Sequence, residues 1–98
     1  MPLHTTIDVG AAAPVAISSG TITGAVRVQN LGVSGVWVQA TTGAAPTAEA
    51  CRLGGLLLPQ CGSDLIDLAT RFPGVAGATA LFALAEYNGT RLSVSHAS

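Results

Sequence analysis

The sequence predicts an all-β chain: a small antiparallel β-sandwich or jelly-roll-like barrel of about six to eight short strands. Three observations carry this expectation. Gly, Pro, Asn and Ser punctuate the chain every eight to twelve residues. The runs between them are short, β-branched and alternating, the spacing expected of a sandwich or barrel. With 98 residues there is room for one modest core, so residues 1–98 are read as one β domain.

Taken in order, His4 to Val9 alternates polar with apolar residues and predicts a first strand, closed by Gly10 and the Ala-rich stretch to Ala13. Residues 1–13 are also a candidate extended arm that adds a strand to a partner's sheet. Pro14 allows an edge or a strand start, so Val15 to Ser18 reads as a short edge strand turned by Ser19-Gly20. Ala25 to Gln29 has the clearest period of two, with Val26 and Val28 on one face and Arg27 and Gln29 on the other. Val36 to Gln39 resumes the pattern after the turn residues Asn30 to Gly35, which predicts a hairpin with Val26, Val28, Val36 and Val38 on a shared core face. Trp37 then points away from that core, which requires a second layer, a loop or another subunit to cover it.

Ala40 to Glu49 reads as a small-residue loop, and Gly54 to Pro59 as a lead into the turn Gln60-Cys61-Gly62. Ser63 to Leu68 is read as a strand, against the alternative of a two-turn helix capped by Ser63. Arg71 to Gly74 is a turn, Thr79 to Tyr87 a strand, and Asn88-Gly89 the type I′ turn of a hairpin onto the last strand, Thr90 to His96.

The composition narrows the function classes. Half the chain is hydrophobic (49%) and only 9% is charged, which is not the composition of a disordered segment. Four Arg, no Lys and five acidic residues give a formal charge of −1. No basic patch for nucleic acid or an anionic membrane is expected. The longest mostly apolar stretch, Val75 to Ala85, is too short to cross a bilayer as a helix, and the first residues lack the layout of a secretory signal. Cys51 and Cys61, with nine residues between them, match neither a redox pair nor a zinc spacing, and free thiols are expected.

So few charges leave a surface of small residues, or one partly covered by neighbouring subunits. The strand Val26-Arg27-Val28-Gln29-Asn30-Leu31-Gly32, then Val36-Trp37-Val38-Gln39, Ala45-Pro46-Thr47, Leu58-Pro59 and the final Leu92-Ser93-Val94-Ser95 resemble small β-sandwich virion structural proteins of tailed bacteriophages. The resemblance spans about residues 20 to 98 and rests on turn and strand patterns; Cys61-Gly62 departs from it. It implies a non-enzymatic capsid decoration or cement protein on the capsid exterior, assembled in the host cytoplasm. The implied partners are the major capsid protein and the chain itself, commonly as a homotrimer. A tail or baseplate adaptor or host-binding module is the alternative within the virion. No functional residue carries over, since the group shares no catalytic motif.

No catalytic residue, cofactor or metal ligand is assigned. Gly32-Val33-Ser34-Gly35 lacks the second glycine and the strand-to-helix context of a nucleophile elbow. His4 and His96 could meet through paired terminal strands, against the simpler reading of two exposed histidines near the ends. Asp64 and Asp67, with Glu49 or Glu86, are the carboxylates a small hydrolase or sugar-binding domain would use, against solvated or Arg-paired roles. The interface candidates are Trp37, Phe72, Arg27, Arg52, Arg71 and Arg91. Large aromatics off the core face anchor interfaces, and Arg suits interfaces better than Lys. The competing explanations are that either aromatic closes the core and that codon usage alone explains the arginines.

Overall fold

The computed structural model describes residues 3–22 and 24–97. Eight strands are present among them: β1 (Leu3–Val9), β2 (Val15–Ala16), β3 (Ala25–Asn30), β4 (Val36–Thr41), β5 (Leu56–Leu58), β6 (Ser63–Asp67), β7 (Ala80–Ala85) and β8 (Thr90–His96). Two short helices, α1 (Ala48–Gly54) and α2 (Leu68–Arg71), interrupt them. The strands form two four-stranded antiparallel sheets, ordered β1-β8-β3-β6 and β2-β7-β4-β5. The pairs are nested: first with last, second with seventh, third with sixth, fourth with fifth. A long hairpin rolled up in this way is a jelly roll, an eight-stranded double-sheet sandwich.

The core follows from the alternation. Val26, Val28, Ile66, Leu92 and Val94 of one sheet face Val36, Val38, Leu58, Leu81 and Ala83 of the other, all at most 5% exposed. Each large aliphatic side chain buried there contributes roughly 1.5–3 kcal/mol. The four valines predicted to share the core do share it, but from opposite sheets. Both expected hairpins are therefore corrected: β3 and β4 lie in different sheets, as do β7 and β8. Asn30 to Gly35 and Glu86 to Gly89 are arches that carry the chain across the sandwich rather than tight turns. Alternation records which side chains point inward, and a hairpin and an arch leave the same ones inward.

The Ala40 to Glu49 loop is also corrected, since β4 continues to Thr41 and α1 begins at Ala48. Thr47 Oγ1 caps the helix by accepting from the Ala50 N–H at 3.1 Å. Ala48, Glu49, Ala50, Arg52 and Leu53 are good helix formers, with Glu49 in the first turn and Arg52 in the last, as the helix dipole favours. Leu56–Leu58, read as the lead into a turn, is a strand paired with Val36 to Val38. Ser63 does begin a strand, and it is Asp67 that caps the short helix after it, accepting from the Ala69 N–H at 3.1 Å.

The candidate arm is the first strand of the chain's own sheet, paired from Leu3 opposite His96 to Val9 opposite Thr90. Its first two residues lie outside the described residues.

One buried amide ties the arches together. Asn30 is 1% exposed. Its Oδ1 accepts from Thr90 Oγ1 at 2.8 Å and from the Gly32 N–H at 3.0 Å, while Nδ2 donates to Ser34 O at 2.7 Å. Ser34 Oγ then accepts from the Tyr87 and Asn88 N–H groups, and the Glu86 N–H donates to Gly35 O at 2.7 Å. Gly32 passes so close to Thr90 that a Cβ at that position would collide with its hydroxyl. Asn30→Ala leaves a buried hydroxyl, an N–H and a carbonyl without their partner. Urea denaturation should show a loss of about 2–4 kcal/mol, with the m-value unchanged.

Candidate interface

The six interface candidates do not converge. Trp37 lies on the outer face of the second sheet, opposite Leu57 on β5 and Leu84 on β7. The layer its alternation required is α1, which packs on β4 and β7. Cys51 Sγ donates to Trp37 O at 3.7 Å. Cys51 on this helix and Phe82 and Leu84 on β7, against which it packs, are buried although they lie outside the main core cluster. Trp37 remains half-buried beside its exposed cross-strand neighbour Leu57. Gln39 Oε1, on the same face, is buried without a hydrogen-bond partner among the described residues.

Phe72 is 6% exposed and belongs to the main core. It is corrected from interface anchor to core residue: α2 ends at it, and the Phe72 N–H donates to Leu68 O. Arg71, in the last turn of α2, pairs with Asp64 at 2.9 Å within the chain. Arg91 pairs with its cross-strand neighbour Asp8, also at 2.9 Å, and both side chains are well exposed. Such a pair is worth little for stability. Arg27 lies on the outer face of the first sheet, its guanidinium 3.4 Å from Ser93 Oγ. Arg52 is exposed on α1. Arg27 and Arg52 make no ion pair among the described residues.

The groups considered for chemistry are separated as well. β1 and β8 do pair, but His4 lies opposite Ser95, one position out of step with His96. His4 is therefore exposed on the outer face while His96 is buried. His96 Nε2 accepts from the Ser19 N–H at 3.1 Å and Nδ1 lies 2.7 Å from Ala97 O, an arrangement that puts the ring proton on Nδ1. Asp64 and Asp67 point to opposite faces of β6, one held by Arg71 and the other capping α2. Among the described residues no cluster of three His, Cys, Asp or Glu side chains could hold a metal ion.

Sequence reasoning missed the surface at the arch end. Leu31 (49% exposed), Val33 (77%) and Tyr87 (76%) stand out from the two arches that the Asn30 network holds side by side. Between the first arch, the end of β1 and the start of β8 runs an open groove of about 760 Å³, lined by Leu31, Val33, Gly89 and the Asp8–Arg91 pair among others. The available signal was Leu31 and Val33 themselves, apolar residues inside a Gly- and Ser-rich turn where nothing local requires them. Compared with family models, curated proteins and solved structures, the chain matches none.

Cys51 is buried and Cys61 exposed, and neither forms a disulfide. Burial pushes the Cys51 thiol above its ordinary value, more than Arg52 lowers it. Burial disfavours the thiolate, so the folded state keeps this proton longer than the unfolded chain does. The resulting contribution is intact below the free-thiol value of about 8.5 and is lost as pH rises from there through the folded value. A thiol reagent at neutral pH should titrate one cysteine quickly, and the second only on unfolding. Cys51→Ala should flatten the loss of stability that sets in as pH rises above the free-thiol value, read from urea midpoints.

Proposed function

We propose that this chain is a non-enzymatic structural protein of a tailed-phage virion, a capsid decoration or cement protein that binds the outside of the shell as a small oligomer and stabilises it. The observation that carries the reading is the arch end. Three large apolar side chains, Leu31, Val33 and Tyr87, are presented to solvent on arches fixed by buried hydrogen bonds. A contact surface ordered in advance loses little entropy when it docks. Exposed apolar residues grouped in this way suit association with another protein.

The architecture supports the reading by analogy, since jelly rolls recur in viral capsid proteins and also in lectins, and a fold alone assigns no function. A low charge density suits a protein that works through buried area repeated many times over a shell, where weak sites act together.

Co-sedimentation with purified capsid shells from the same source tests the proposal. The chain should pellet with shells and raise their resistance to heat or chelator. Leu31→Ser with Val33→Ser should weaken binding at least about tenfold while the far-UV circular dichroism stays unchanged. A chain that stays in the supernatant, or a double variant that binds as well as the parent, overturns it.

A further inference from the structure

Among the described residues the two sheets end in four edge strands, and three carry features that discourage another strand from adding. β2 is two residues long and follows Pro14. β5 is three residues long and runs into Pro59. β6 turns the Asp64 carboxylate inward, held by Arg71, and ends where Asp67 caps α2. β1 has none of these features. It is seven residues long, contains no Pro, Gly or Lys, and is paired on one side only, with β8. His4, Thr5 and Thr6 are exposed along it, and Leu3 and Ile7 are only partly covered.

We propose that β1 pairs antiparallel with β1 of a second copy of this chain across a twofold axis, joining the two β1-β8-β3-β6 sheets into one of eight strands. The strand's own sequence selects the second copy as partner. When two identical strands pair about an axis normal to the sheet, opposed residues must share both the side-chain face and the direction of their backbone groups, so one residue lies on the axis. With Thr6 on the axis all seven residues are used. Leu3 then lies opposite Val9, His4 opposite Asp8, Thr5 opposite Ile7, and Thr6 opposite its own copy.

These pairs match on both faces. On the inner face Leu3, Ile7 and Val9 already pack against the core, so the pairing carries the apolar layer across the join. On the outer face an imidazole, which can donate an N–H, meets a carboxylate twice by symmetry, with a Thr–Thr pair between. The Asp8 carboxylate touches Arg91 through Oδ1, and its other oxygen remains able to accept from the second copy's imidazole. Moving the axis to Thr5 or Ile7 shortens the ladder to five residues and separates His4 from Asp8. The pairing does not rest on shell binding, and its symmetry is twofold where the phage resemblance implied a trimer.

Sedimentation equilibrium of the full chain, from micromolar to near-millimolar, reads the assembly directly. The parent should form a reversible dimer. His4→Glu, which sets a carboxylate opposite Asp8, and Asp8→Lys, which removes the acceptor for the imidazole N–H, are both at exposed positions and should each weaken it about tenfold. The double variant, which sets Glu opposite Lys, should recover to within about threefold. Amide hydrogen exchange should slow with concentration at residues 3–9 and not along β6. A chain that stays monomeric throughout, a dimer indifferent to the charge changes, or protection at another edge overturns the proposal. A monomer whose β1 amides slow only on capsid shells also overturns it, in favour of a strand supplied by the shell. A dimer that ignores shells supports the pairing and sinks the cement reading.

Discussion

The Asn30 amide is the constraint on which the arrangement of the two sheets depends. A sandwich holds its sheets together mainly by non-directional burial, which fixes how close they approach far better than how they are aligned. Asn30 sits at the end of a core strand and supplies direction. Its oxygen and nitrogen reach, through Thr90, Gly32 and Ser34, both connections that cross between the sheets at that end. A buried network of this kind is costly when incomplete and specifying when satisfied. Here every side-chain atom of the amide has a partner, and Ser34 relays the order to the backbone of Tyr87 and Asn88. The exposed apolar residues on the arches inherit their positions from these polar contacts rather than from packing of their own.

Much of the fold could be read from the residues, because a period of two is a local property. β3, β4 and β8 alternate buried valine, leucine or alanine with outward-facing residues, polar except for Trp37 in β4 and Ala25 in β3, and the core follows from them. Strand pairing is not local. Whether Val36 faces Val28 across the core or lies beside it in a sheet depends on the whole set of strands, so the Asn88-Gly89 signal was overridden by the nested order. Helix α1 was hidden because its Ala and Glu residues follow a stretch of Gly, Ala, Pro and Thr with no apolar periodicity, and only the Thr47 cap marks its start.

The candidate surfaces divide along the same line. Trp37 was legible as an outward-facing anomaly because its neighbours alternate so clearly, and the covering layer it demanded is present as α1. Phe72 was not legible as core, because it follows a four-residue helix and precedes a proline, where no period exists to read. The arginines give no pattern by themselves. Two are tied to carboxylates whose positions only the register determines. The arch-end groove and the open edge of β1 are properties of the assembled sandwich, the first created by two loops meeting and the second by a strand with a neighbour on one side.

The position of β8 has a consequence for how the chain reaches this state. It is the last strand in sequence and an interior strand of its sheet, flanked by β1 and β3. Until it is in place, β1 has no partner and β3 has only β6, so this sheet cannot be completed before residues 90–96 have joined it. Closure then requires bringing together segments from the two ends, a loop-entropy cost met before most of the core is in place. Folding of this kind is slow, in the millisecond-to-second range typical of β-sandwiches. During that interval β1 is an unpaired, alternating strand, and a partly folded copy that meets another at this stage is open to strand exchange as well as to correct closure.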